Sequence, residues 1–294
     1  MKGSFEMNWK KIIGILVAIA AVAFIGYTVI FANNEEEALS VRTGKVTEET
    51  INETLNLTGM VEPGETQEVY GQGMVSDLPV AVNDTVEEGD TLISFSGVPI
   101  EANFSGTVTA VNATEGEPDT STQTGTPAVV LADLSQLEVA IQLTKTDAPL
   151  VKADQKATLT SGDQTYSGKV SKVAPVATST PGATGNTQLL NAVVSFDENP
   201  EDLIAGFDID VEITTNTSEN AMTIPIEALV YDNNNEPFVY TVENDVIKSK
   251  PVEIGIQSAT KVEVLSGLSA DEMVVLSPSE DVKNGITVTT QEKE

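Results

Sequence analysis

Two neighbouring parts of this chain share one pattern, in which brief strands are separated by Gly and Asn-Asp turns. The first part covers residues 73–92 and the second covers residues 100–111. Gly73 and Gly106 each begin a G-x-V strand, and Gly89-Asp90 forms a turn that suits small residues. Short strands with this punctuation are typical of a small β-sandwich built from two similar hairpin units.

The composition excludes several kinds of chemistry. The 294 residues include no Cys and no His, so disulfides, Cys/His zinc sites and imidazole acid–base catalysis are absent. The net charge is −30, from 15 Lys and Arg against 45 Asp and Glu, which rules strongly against nucleic acid as a partner. We interpret the acidic excess as a solubilising surface, with attraction for cationic substrates as the alternative.

An apolar run near the start of the chain predicts a transmembrane helix. Residues 12–31 carry no charge, and as a helix these twenty residues would span roughly 30 Å, the hydrocarbon thickness of a bilayer. Lys10 and Lys11 precede the run and three Glu residues follow it, which predicts residues 1–11 in the cytoplasm and the body outside the cell membrane. A cleaved signal peptide is the alternative, but the run is longer than a signal core.

The rest of the chain predicts an all-β extracytoplasmic body. Apolar and polar residues alternate over 137–143, 208–213 and 238–242, which indicates half-buried strands. No segment after Phe31 keeps a helical period over three turns. Two stretches without strand patterning, 115–127 and 178–188, are predicted to be loops.

Taken together, these segments resemble the membrane-fusion proteins, the periplasmic adaptor subunits of bacterial efflux pumps. The resemblance rests on the 73–111 pattern, on the glycine-led strand 206–213, and on a third group of strands from residue 224 to residue 276. It implies a nested organisation, with a lipoyl-like domain (69–133), a β-barrel domain (59–68 plus 134–218) and a membrane-proximal β domain (40–58 plus 219–292).

One connection departs from what the resemblance implies. Lipoyl and biotinyl carriers hold their cofactor on a Lys at the hairpin tip, which here is Phe95, Ser96, Gly97, Val98 and Pro99, and no Lys occurs between Lys45 and Lys145. We therefore predict no cofactor. Many pump adaptors carry a long α-helical hairpin at this position, but residues 94–101 are too few for even one stable helix. This form without the hairpin fits a bacterium with a single membrane.

Two acidic segments have the composition of cation sites. Asp208, Asp210 and Glu212 share one face of a predicted strand, and residues 232–236 resemble a calcium loop without its central Gly. The alternation favours a solvated strand face for the first, and a hairpin turn explains the second better. We predict no metal site and no catalytic residue.

The resemblance implies a non-enzymatic adaptor that stands beside an export permease. An ATP-driven ABC exporter is favoured over a proton-driven permease, and homo-oligomerisation is left open. The alternative is a membrane-anchored protein that binds or supports the cell envelope. The exported substrate and the residues that contact the permease are not indicated by the sequence.

Overall fold

The computed structural model describes residues 39–182 and 185–292. The predicted transmembrane segment, residues 12–31, lies outside these described residues. Within the part that is described, no helix is both long enough and apolar enough to cross a membrane. The chain divides into two units, one combining the residues up to Ile51 with those from Glu219, the other running from Asn52 to Ser218.

Strands are the main regular structure of the described residues. In chain order the strands are β1 (Leu39–Lys45), β2 (Thr47–Pro63), β3 (Thr66–Val69), β4 (Gly73–Asp77), β5 (Thr85–Val86), β6 (Thr91–Phe95), β7 (Val98–Glu101), β8 (Gly106–Val111), β9 (Pro118–Asp119), β10 (Val129–Ala132), β11 (Leu137–Leu143), β12 (Lys156–Ser161), β13 (Gln164–Val173), β14 (Thr178–Gly182), β15 (Gly185–Phe196), β16 (Asp208–Pro225), β17 (Leu229–Tyr231), β18 (Pro237–Glu243), β19 (Val246–Pro251), β20 (Glu253–Gln257), β21 (Lys261–Ser266), β22 (Met273–Val275) and β23 (Val288–Glu292). The helices are the four-residue α1 (Ser121–Thr124) and a 3₁₀ turn (Ile226–Ala228). The predicted all-β body is confirmed.

Strands β3 to β10 form a small sandwich of two four-stranded sheets. The sheet orders are β3-β10-β8-β5 and β7-β6-β4-β9. Their inner faces share one core, in which Leu92, Ile93, Val108 and Leu131 are fully buried. Strand β6 is buried at four consecutive positions, Leu92 to Phe95, and its pairing with β7 shifts register between Thr91 and Ile93. The removal of these core side chains from water provides the main driving force for closing the two sheets.

Six strands of the same unit close into a barrel. The order is β12-β13-β15-β11-β2-β16, and β12 pairs with β16 to complete the circle. The interior is filled by β-branched and leucine side chains that include Val139, Ile141, Leu159 and Ile213. Closure of the barrel leaves none of the six strands with a free edge over the paired residues.

The other unit is built on a sheet of order β17-β18-β22-β1-β23, with β19 paired to β18. Strand β1 lies between β22, which is antiparallel to it, and β23, which is parallel. One core lies around Val46, Ile224 and Val262, and a second lies around Val41 and Val288. The first strand after the apolar run is therefore an interior strand of this sheet.

The two stretches predicted to be loops contain regular structure, so those predictions are wrong. Residues 178–182 and 185–189 pair as the antiparallel strands β14 and β15, although four of these ten residues are Pro, Gly or Asn, which are depleted in strands. Within 115–127, β9 and α1 form because Ser121, only 4% exposed, is anchored to the main chain of Gly71. The sequence shows no periodicity for either because both elements are held by pairing outside themselves.

Candidate functional site

The connection between β6 and β7 is a two-residue turn formed by Ser96 and Gly97. Their φ angles are 51° and 85°, and Phe95 pairs with Val98 across the turn. Two consecutive positive φ values match the tight hairpin turns that favour Gly. The described residues at this connection therefore contain no helical hairpin, in agreement with the form expected from the sequence.

This turn is fastened to the neighbouring strand β4. The Ser96 N–H donates to the carbonyl oxygen of Met74 at 2.7 Å, and the Gly97 N–H donates to the Ser76 hydroxyl at 2.9 Å. Val98 is 62% exposed, and Pro99 is also exposed beside it. The tip thus presents a small, fixed surface with no amine on it.

The other glycines singled out by the sequence occupy two places in the sandwich. Gly73 has a φ of 109° and lies against the Ser96 hydroxyl, so it belongs to the hairpin tip. At the second place, the Gly89 N–H donates to the Ala102 carbonyl oxygen at 2.9 Å. The Asp90 carboxylate accepts from the Glu87 N–H at 2.8 Å, and Gly106 pairs with Val86. The structure therefore brings the predicted residues together as two turns of the sandwich, not as one site.

The acidic segments considered as cation sites have other roles. Asp208, Asp210 and Glu212 point to solvent from β16, while the residues between them are buried. In the 232–236 segment, one carboxylate oxygen of Asp232 accepts from the N–H groups of Asn234 and Glu236, which closes the turn between β17 and β18. Across residues 39–182 and 185–292, no group of three or more Asp and Glu residues is arranged to hold a metal ion.

A cleft of about 550 Å³ lies at one end of the barrel, where the sandwich meets it within the same unit. The buried Leu137 forms its floor, the half-buried Leu203 lines it, and its exposed lining residues include Leu134, Glu201 and Ile204. Ile204 is 65% exposed, and Leu134 is 41% exposed. Exposed aliphatic side chains around a concave surface are the kind of feature that marks a binding site.

The loop that forms this cleft, residues 197–207, is held at both ends. The Asn199 side-chain oxygen accepts from the Leu137 N–H at 2.8 Å. The Gly206 N–H donates to the Val61 carbonyl oxygen at 2.7 Å, and the Val61 N–H donates back to the Phe207 carbonyl oxygen at 2.9 Å. The cleft is therefore built into the fold before anything binds.

Basic side chains of the other unit pair with carboxylates across strands. Lys261 on β21 contacts Glu49 on β2, and the Thr223 hydroxyl donates to the same carboxylate. These two partners, the lysine first, hold the pKa of Glu49 below its ordinary value of 4.5. Glu272 and then Glu243 raise the pKa of Lys250 above its ordinary value of 10.5. Lys250 and Lys261 are thus used to join strands of this unit.

Comparison with known proteins places this architecture in a family. Residues 221–290 match the model of the YknX C-terminal permuted SH3-like domain. A putative efflux system component, YknX of Bacillus subtilis, is 30% identical over 200 residues, which are 66% of this chain and 52% of that protein. The chain is similar to the membrane-fusion protein family.

Further relatives in this family include two export proteins. The pyoverdine export membrane fusion protein PvdR of Pseudomonas aeruginosa is 29% identical over 61% of this chain and 51% of its own length. The macrolide export protein MacA of Shigella flexneri is 30% identical over 60% of this chain and 48% of its own. The chain therefore spans about half the length of the curated relatives it matches.

A solved structure shares the fold. The crystal structure of MacA from Actinobacillus actinomycetemcomitans superposes with a TM-score of 0.65, covering 80% of this chain and 99% of that one at 20% identity. A chimeric MacA that contains the MexA α-hairpin domain gives a TM-score of 0.61. At this identity the likeness shows that the folds agree.

Sequence reasoning missed the cleft at the end of the barrel. Leu203, Ile204 and Phe207 are apolar residues in an acidic loop, and in such a context the ordinary expectation is that they are buried. Ile204 and Phe207 are each 65% exposed. The signal was the presence of three large apolar residues in a segment without strand periodicity, but only the closed barrel shows which of them reach solvent.

Proposed function

We propose that this protein is a non-enzymatic extracytoplasmic adaptor subunit of a membrane export pump. The observation that supports this most directly is the match of its C-terminal residues to the YknX domain, together with relatives named as efflux or export components. The adaptor partners an ABC-type exporter permease in a single-membrane bacterium. It contributes no chemistry, stabilises the permease and guides the exported molecule.

The proposal assigns a part to each segment. Residues 12–31 anchor the chain in the cell membrane, with residues 1–11 in the cytoplasm and the body outside. Residues 40–58 and 219–292 form the membrane-proximal domain, which contacts the permease together with the barrel domain of 59–68 and 134–218. In the lipoyl-like domain of 69–133, the short Ser96–Gly97 turn stands where many adaptors carry a long helical hairpin. The adaptor therefore works without reaching an outer-membrane duct.

Copurification from membranes tests this proposal. The full-length protein, tagged and solubilised in a mild detergent, should retain a multi-span permease and its ATPase subunit, identified by mass spectrometry. Deletion of the gene should lower export by that permease. If deletion changed no transport while the permease was intact, the adaptor role would be wrong and an envelope-binding role would replace it.

A further inference from the structure

The cleft at the end of the barrel is surrounded by strongly acidic chain segments. Four chain segments meet at this end, namely residues 59–66, 133–138, 161–168 and 197–212. Together they contain no Lys or Arg and twelve Asp or Glu residues. Strand pairing fixes their proximity, because β2, β11, β13, β15 and β16 all begin or end here. Any ligand that approaches this end meets a negative potential.

The cleft itself is apolar where a ligand would be covered. Leu137 is only 6% exposed and forms the floor, and Leu203 is half-buried against the barrel core. Leu134, 41% exposed, and Ile204, 65% exposed, stand at the rim and offer apolar surface to a ligand. The volume of about 550 Å³ falls within the roughly 300–1,000 Å³ of sites that hold small molecules.

The polar groups of the cleft indicate which sign of charge a ligand should carry. Glu201 lies on the rim as an exposed carboxylate, and no ion pair of Glu201 occurs among the described residues. Asn199 uses its side-chain oxygen on the Leu137 N–H and is uncharged, so Glu201 is the charged side chain that lines the cleft. Apolar walls beside an acidic rim fit a molecule with an apolar body and a positive charge.

We propose that this cleft binds amphipathic organic cations. Leu134, Leu137, Leu203 and Ile204 cover the apolar body, and the Glu201 carboxylate faces the positive charge. The held ends of the 197–207 loop make the site available without rearrangement, which lowers the entropic cost of binding. That such a cation is the exported cargo rests on the proposed adaptor function, whereas binding itself needs no pump.

Photolabelling of the full-length protein tests the site, because the labelled peptides report where on the chain the probe binds. The probe is ethidium monoazide, an amphipathic cation, and labelled peptides are located by mass spectrometry. Labelling should concentrate in peptides covering 133–138 and 197–207. Tetraphenylphosphonium should compete at least tenfold better than tetraphenylborate, which has a similar apolar surface and the opposite charge. This preference should shrink in 1 M salt, where the Debye length falls to about 3 Å.

Single substitutions separate the two contributions to binding. Ile204→Ser removes an exposed apolar wall and should raise the half-saturating probe concentration roughly fivefold or more. Glu201→Gln should raise it about two- to threefold at low salt only, as expected of a solvent-exposed charge. The matched controls are Leu150→Ser, an exposed leucine away from the cleft, and Glu115→Gln, an exposed carboxylate on the sandwich. Both should stay within twofold of the unaltered protein.

Two outcomes would overturn the proposal. One is labelling spread evenly along the chain and unchanged by Ile204→Ser. The other is equal competition by the phosphonium and borate ions at low salt. If Ile204→Ser instead reduced the amount of copurifying permease and left labelling unchanged, the cleft would be a protein contact and not a ligand site. Because labelling and copurification are separate measurements, failure of this inference is distinguishable from failure of the adaptor proposal.

Discussion

At the scale of single residues, Gly71 leaves the space that the Phe95 ring of β6 needs in order to pack in the sandwich core. A Cβ at this position would lie 2.0 Å from Cζ of the Phe95 ring, and Phe95 is 7% exposed. Gly71 itself has no positive φ, so space and not backbone conformation requires glycine here. The Gly71 main chain is also bonded to the Ser121 hydroxyl, which prevents it from moving away.

Gly71→Ala should therefore destabilise the sandwich by about 1–3 kcal/mol, the usual cost of overpacking a filled core. Hydrogen exchange of peptides covering β4 and β6, measured along a urea series, would report this loss. In a Phe95→Leu background the same substitution should cost measurably less, because the two positions then no longer compete for one space. Equal costs in the two backgrounds would contradict the packing explanation.

At the scale of elements, Glu49 joins three strands of one unit. It lies on β2, Lys261 on β21 and Thr223 on β16. Because its pKa is lower folded than unfolded, Glu49 contributes stability that is present above the unfolded value, near 4.5, and is lost as the pH falls through the folded value. The pair is about one-third exposed, so solvent screens much of this contribution.

Glu49→Gln should lower the free energy of unfolding of this unit by about 0.2–1 kcal/mol at pH 7. The difference from the unaltered protein should disappear as the pH falls from 4.5 through the folded pKa of Glu49, because the side chain at position 49 is then uncharged in both proteins. Thermal melts followed by circular dichroism between pH 7 and pH 3 measure this. Glu48→Gln, an exposed neighbour, is the control and should show no such dependence. A gap that widened in acid would refute the linkage.

The elements also show what the sequence could and could not predict. Strands such as β11 and β16 follow directly from alternation, because each has one face in the barrel core. The short connection between β6 and β7 was predicted by counting residues between two strand patterns. Strand β14 and helix α1 were missed, since their stability comes from β15 and from Gly71, which are distant in sequence or lack a pattern. The cleft was missed because it requires knowing which segments meet at the end of the barrel.

At the scale of the whole molecule, the proposed anchor lies very close in sequence to the body. Seven residues, 32–38, separate the apolar run from the start of β1. Fully extended, they span at most about 25 Å. Strand β1 is an interior strand of its sheet, so this unit cannot release the strand to gain reach without losing its fold. With residues 12–31 as the proposed anchor, this short connection keeps the unit that contains β1 close to the bilayer.

Lengthening this connection should therefore weaken function without detaching the protein. Inserting about twenty Gly and Ser residues between Asn34 and Glu35 leaves the anchor and the sheet intact. It lowers the effective concentration of the body at the permease, which falls roughly as the −3/2 power of tether length once the span is exceeded. We expect unchanged membrane fractionation together with a several-fold loss of export. The same insertion after Ser4, on the other side of the apolar run, is the matched control and should leave export unchanged. Full export with the long tether would show that the β-domains alone hold the body at its partner.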